Sequence, residues 1–181
     1  MPLVIETARC ILRPLDETDV SGMFQLDSNA EVLQYLGGKT IANPEQSLAI
    51  IKMVRKQYEV NGYGRWAVIK KSSGEFIGWA GLKLVEGEAY LAQPHTDLGY
   101  RLLPQFWGRG YGTELAMACC KWGFEALNLE SIYAATHQEN QGSQKILAKC
   151  GFQKMGTFLY EEAPQFWYVL SRYRWKANEH S

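Results

Sequence analysis

The sequence predicts an α+β fold built on a mixed α/β sheet. Three observations carry that prediction. Short apolar runs follow one another across tight turns, as in "RWAVIKK" and "FIGWAGLKLVE" around "SSGE", the pattern of hairpin-connected strands. Other stretches repeat apolar residues three and four apart, the pattern of amphipathic helices. One such helix joins "TDLGYRLL" to "SIYAATH", which allows these two strands to lie parallel in one sheet.

The elements follow in order. "RCILRPL" alternates and ends at a proline turn, so it reads as a strand. Val20, Met23, Phe24, Leu26, Val32 and Leu36 then suit one or two short helices. "GGKTIANPE" reads as a loop, with Pro44 placed for the first turn of a helix carrying Leu48, Ile51, Val54 and Tyr58 on one face. "NGYG" stops that helix. The hairpin follows, then "TDLGYRLL", whose lone Gly99 suggests a bulge or a close backbone approach. A helix with Leu115, Cys119, Trp122 and Ala126 on one face comes next. "SIYAATH" reads as a buried strand, and "NQGSQKILAKCGF" as a short helix closed by Gly151. "FQKMGTFLY" and "QFWYVLSRYRW" read as a final antiparallel pair. In the second, Trp167, Val169, Tyr173 and Trp175 share one face, and Arg172, Arg174 and Lys176 the other.

The 181 residues read as a single domain, with no repeat or low-complexity linker. Hydrophobic residues make up 46%, charged residues 21%, and the formal net charge is zero. That balance argues against bulk electrostatic binding to nucleic acid or anionic lipid. "MPLVIETARC" is short and acidic for a signal peptide, and no apolar run is long enough to span a bilayer. A cytoplasmic location is therefore expected. Cys10, Cys119, Cys120 and Cys150 have no metal-ligand spacing and read as buried thiols, so no metal is expected.

The chemistry points to "QFWGRGYGTEL", where three glycines stand at the start of a helix. Glycine weakens a helix, so its concentration here calls for a reason. A strand, a glycine-rich turn and a helix together make an anion site. Gly108, Gly110 and Gly112 let a backbone approach an anion without a Cβ in the way. Arg109 and Thr113 can add a guanidinium and a hydroxyl. Two nucleotide readings fail on spacing. A dinucleotide fingerprint needs glycine where Thr113 stands, and no Gly-Lys-Ser/Thr of a P-loop is present.

From "TDLGYRLL" to "KILAKCGF" the chain resembles the acyl-CoA-binding half of the GCN5-related N-acetyltransferase (GNAT) superfamily. "ARCILRPLDETD" and "GEFIGWAGL" are similar to the opening strand and hairpin of its RimJ/RimL-type branch. The resemblance implies a central, mostly antiparallel sheet of about seven strands flanked by about four helices. A parallel pair would splay apart at the acyl-CoA site. The resemblance also implies that acetyl-CoA is the co-substrate and an amine the acceptor, either a protein N-terminus or a small molecule. The pyrophosphate loop falls on Gly108, Arg109, Gly110, Tyr111, Gly112 and Thr113. Trp107 stands where the superfamily has Gln or Arg. The pantetheine arm would pair with the backbone of Arg101, Leu102 and Leu103, with Asn140 touching it.

Acetylation needs a neutral amine, which costs about 1 kcal/mol at pH 7 for an α-amine and about 4–5 kcal/mol for a lysine. A base, an oxyanion donor and a partner for the departing thiolate are therefore sought. Asp97 is the base that the resemblance suggests, with Glu88, Glu161, Glu162 and His137 as alternatives. The tyrosine that many members use beside the thiolate is absent, because Leu147 stands there. Ser143 matches the serine that serves in the RimJ/RimL branch. Tyr35, Tyr58, Tyr63 and Trp66 are candidates for the acceptor pocket or for core. A non-catalytic acyl-CoA sensor is the alternative function. An RNA-binding module, suggested by "YVLSRYRWK", is opposed by the charge balance. A monomer or homodimer is expected.

Overall fold

The computed structural model describes residues 4–179. Met1 to Leu3, part of the stretch weighed as a leader, lie outside the described residues, as do His180 and Ser181. Strands β1 (Ile5–Glu6), β2 (Cys10–Pro14), β3 (Arg65–Lys70), β4 (Phe76–Val85), β5 (His95–Leu102), β6 (Ser131–His137), β7 (Gln153–Tyr160) and β8 (Ala163–Ser171) form one sheet. Its order is β1-β2-β3-β4-β5-β6-β8-β7. The helices are α1 (Val20–Asp27), α2 (Ala30–Leu33), α3 (Pro44–Asn61), α4 (Tyr111–Glu125), α5 (Gln141–Lys149) and α6 (Arg172–Glu179). The fold is the expected mixed, mostly antiparallel one, with eight strands and six α-helices among the described residues.

Local sequence accounts for the element ends. Asn43 caps α3 by accepting from Gln46 N, Pro44 opens the helix, and Gly62 closes it in the left-handed region. Asn140 caps α5 in the same way, its side chain accepting from Ser143 N. Two elements differ from the sequence reading. The short β1 extends the sheet, and "RYRW" belongs to α6 instead of continuing β8. Alternation alone could not separate the two conformations over four residues. The structure uses Trp175 on α6 to pack against Phe124 of α4, with ring centroids 5.6 Å apart.

Two features of this fold position the site. β5 and β6 are the parallel pair, and they share a single pairing, Asp97 with Tyr133. Beyond it the strands diverge, leaving a gap in the middle of the sheet. The helices cover both faces, with α1 and α3 packed together on one and α4 and α5 on the other. One core cluster nevertheless runs from Cys10 and Leu12 on β2 to Tyr168 and Leu170 on β8.

Candidate active site

The β5–β6 gap opens into a cavity of about 950 Å³ that reaches both faces of the sheet. Successive β5 side chains alternate between those faces. Asp97, Gly99 and Arg101 look toward α1, whereas Leu98, Tyr100 and Leu102 look toward α4 and α5. The cavity brings together Asp97, Arg101, Leu102, Gly108, Gly110, Tyr111, Gly112, Thr113, Asn140 and Ser143. Leu103 and Arg109 are not part of its wall.

The glycine turn forms one end of the cavity. Gly108 and Gly110 adopt φ of 67° and 82°, values that favour glycine. Helix α4 begins directly after them, and its first internal bond near the turn is Glu114 N to Gly110 O. Among the described residues the N–H groups from Gly108 to Thr113 therefore have no acceptor, and they stand at the positive end of a helix dipole. Arg9 braces the turn from β2's end of the sheet. Its guanidinium donates to Arg109 O at 2.9 Å, pairs with Glu114 at 2.6 Å, and lies 3.9 Å over the Tyr111 ring. Arg109 thus contributes its carbonyl to the brace, and its own side chain is exposed outside the cavity wall. Trp107 donates its indole N–H to Leu102 O at 2.8 Å. That bond ties the turn to β5 and commits the indole donor away from any anion.

The free edge of β5 is shifted from the expected residues. Leu103 N donates to Ile77 O on β4, and Leu103 O accepts from Phe106 N. Leu103 thus has no backbone group to offer. Backbone groups alternate in direction along a strand, so those of Arg101 also point to β4. Tyr100 and Leu102 are left facing the gap, but Leu102 O already accepts from the Trp107 indole, so the free groups are the Tyr100 backbone and Leu102 N. Arg101 meets the cavity through its side chain, which pairs with Asp27 of α1. Burial holds the Arg101 guanidinium below its ordinary pKa, with Asp27 opposing the shift.

Gly99 carries no bulge on the β4 side, where Gly81 faces Gly99 in continuous register. A Cβ there would lie 2.6 Å from Arg65 Nη2. The position is left bare for the Arg65 guanidinium, which crosses it to reach Asp97 Oδ2 at 2.6 Å and Asp97 O at 2.8 Å. Asp97, the leading base candidate, is therefore an ion-paired carboxylate. His137 is also committed. Its Nδ1 accepts from Glu139 N at 3.1 Å, so the neutral ring carries its proton on Nε2 and has no free lone pair. Glu88, Glu161 and Glu162 do not line the cavity.

On the other face, Ser143 Oγ and the Tyr100 hydroxyl lie 2.9 Å apart in the cavity wall. Burial pushes the Tyr100 pKa well up. Leu147 is core at 1% exposure. Of the aromatic candidates, Tyr35 lines the cavity and stacks on His137 at 5.5 Å. Tyr58, Tyr63 and Trp66 are structural: Tyr58 joins Leu15 N to Arg65 O, Tyr63 bonds Thr96, and Trp66 is 1% exposed. The sequence reading missed Arg65, Arg9 and Tyr100, whose roles come from partners distant in the chain.

Residues 9–153 match the family model described as an acetyltransferase (GNAT) domain. The chain belongs to the GNAT acetyltransferase family. It is similar to the uncharacterized N-acetyltransferase YoaA of Bacillus subtilis, 30% identical over 90% of this chain and 92% of that one. The FsC-acetyl coenzyme A-N(2)-transacetylase of Aspergillus fumigatus is 28% identical over 94% of this chain and 77% of its own length. A spermidine N-acetyltransferase of Vibrio cholerae, solved with CoA and spermine, has the same fold with a TM-score of 0.74. It is 19% identical and covers 92% of this chain and 98% of that one. The protein is an N-acetyltransferase with a GNAT fold. Among the described residues no helix is long and apolar enough to cross a membrane, and no group of three His, Cys, Asp or Glu residues is arranged around a possible metal ion.

Proposed function

We propose that the chain transfers acetyl directly from acetyl-CoA to an amine, with no covalent enzyme intermediate, and that it belongs to the RimJ/RimL-type branch. One observation carries this reading. The β5–β6 gap joins, in one cavity, unpaired N–H groups suited to a diphosphate and a hydroxyl beside a free strand edge. Several charged hydrogen bonds at roughly 1.5–3 kcal/mol each would hold the CoA diphosphate on Gly108 to Thr113. The pantetheine arm would pair with the Tyr100 backbone and Leu102 N. Ser143 Oγ would donate a hydrogen bond to the departing sulfur, and Asn140 would fix the helix turn that carries it. The amine would enter from the opposite face, past Tyr35 and Asp97. The protein would work in the cytoplasm.

The acceptor follows from the base candidates. Asp97 is paired and His137 has no free lone pair. Asp97 would then orient the amine by hydrogen bonding more than deprotonate it. Such a site favours an amine that is cheap to deprotonate. An α-amine costs about 1 kcal/mol at pH 7 and a primary alkylamine like lysine about 4–5 kcal/mol. We therefore favour an α-amine, on a protein N-terminus or a small molecule, over a polyamine.

CoA release with a panel of amines tests this. α-Amines should outpace spermidine at pH 7, and the difference should narrow as pH rises. Equal rates with spermidine at pH 7 would reject the α-amine choice. Tight CoA binding without turnover on any amine would favour a sensor, a reading that the core position of Leu147 keeps in view. Ser143→Ala should slow turnover by about 10–100-fold with CoA affinity nearly intact. Full activity would remove Ser143 from the mechanism.

A further inference from the structure

Tyr100 was not among the residues that the sequence singled out, yet it is the side chain that meets Ser143 in the cavity wall. It stands on β5, on the face toward α5, and its ring is partly buried against the core beneath that helix. Its hydroxyl is 2.9 Å from Ser143 Oγ and 3.4 Å from Ser143 O. Two proton arrangements fit these distances. In one, Tyr100 donates to Ser143 Oγ, and the serine proton is free to point into the cavity. In the other, Ser143 donates to Tyr100, and Tyr100 must use the Ser143 carbonyl. The second relies on a long bond to a carbonyl that already stands in the α5 hydrogen-bond ladder. Both use the short contact, but the first needs no bond to that carbonyl and leaves the serine proton for a ligand in the cavity.

We propose that Tyr100 is a positioning residue for Ser143: its hydroxyl donates to Ser143 Oγ and so directs the serine proton toward the sulfur of the leaving group. This rests on the acetyltransfer reading above. In the step concerned, the bond from amine nitrogen to acetyl carbon forms and the carbon–sulfur bond breaks. Sulfur keeps the bonding pair, and the amine gives its extra proton to water. Ser143 and Tyr100 keep their own protons throughout, so the pair returns to its starting state each turnover. The burial that raises the Tyr100 pKa suits this role, because a hydroxyl that does not ionise stays a donor at every working pH. The arrangement also explains how the site dispenses with a tyrosine at the Leu147 position. The phenol is supplied by the strand on the opposite side of the cleft, and it acts through a serine.

The test is a double-mutant cycle on Tyr100→Phe and Ser143→Ala, read as CoA release at saturating amine. Tyr100→Phe keeps the packed ring and removes only the hydroxyl. It should lower kcat about tenfold, less than loss of the donor itself, with acetyl-CoA KM within about twofold of wild type. In the Ser143→Ala background the same substitution should change kcat by less than about twofold, because there is no serine left to orient. A packing defect would persist in that background. Wild-type kcat in Tyr100→Phe, or losses that multiply in the double variant, would overturn the proposal while leaving acetyltransfer intact. A wild-type chain that binds CoA and turns over no amine would overturn both.

Discussion

Gly99 shows how one missing side chain organises the acceptor face of the cleft. The Arg65 guanidinium occupies the space that a Cβ would take, and from there it reaches the carboxylate and carbonyl of Asp97. Gly99→Ala would force that guanidinium away. Its end is held by several bonds, so it cannot move aside at little cost. We expect a loss of about 1–3 kcal/mol, in the range of other overpacked sites, read as a lower denaturant midpoint. The mechanism has its own control. In an Arg65→Ala background the space is empty, and Gly99→Ala should then cost less than about 0.5 kcal/mol. An equal cost in both backgrounds would show that the backbone, not Arg65, requires glycine there.

At the scale of the element, the glycine turn is more than a flexible entry to α4. It is held by Arg9, which lies 105 residues away in sequence from its partner Glu114. Gly110→Ala should raise the CoA dissociation constant at least tenfold by calorimetry while the fold persists. Its φ of 82° is costly for alanine, and an added Cβ would sit 3.4 Å from Arg9 Nη2. An unchanged dissociation constant would mean that the turn does not hold CoA. The brace also predicts a pH dependence. Burial alone would raise the Glu114 pKa, but hydrogen bonds from Thr7 and from the Arg9 backbone and guanidinium outweigh it and leave it lowered. The contribution of Glu114 is thus complete above the ordinary value of 4.5 and is lost as pH falls through the lower folded value. Glu114→Gln should flatten the acid limb of the stability curve below about pH 4.5 and leave its neutral region parallel to wild type. The same turn marks the limit of what the sequence discloses. Strand, turn and helix were legible from three glycines and a change of period. The parallel course of β5 and β6 was legible through the helix that joins them, and the gap between them only through the family resemblance. Arg9, Arg65 and Tyr100 were not, because each acts on a partner brought near only by the finished sheet. α6 was missed because a four-residue run reads equally well in two periods.

The whole molecule sets these two scales against each other. The sheet is almost divided at the cavity, with one β5–β6 pairing holding its halves in register. A divided sheet suggests two units that open separately. The core argues otherwise, since one cluster joins β2, β4 and α4 to β6, α5 and β8. Exposing either half would uncover that shared surface, so unfolding should be a single transition. The cysteines report on this directly. Cys10 lies on β2, Cys119 and Cys120 on α4, and Cys150 at the end of α5, and all four are free and buried. Burial pushes the Cys119 and Cys150 thiols up to about 12 and raises those of Cys10 and Cys120 as well. Neither access nor thiolate is available in the native state. A chromogenic disulfide reagent at neutral pH should therefore find no fast-reacting thiol in the native chain. In rising denaturant the four should react together, at a midpoint equal to that seen by circular dichroism. If Cys10 reacted well before Cys150, the gap would divide the protein thermodynamically as well as geometrically, and its width would have to be treated as a variable of the reaction.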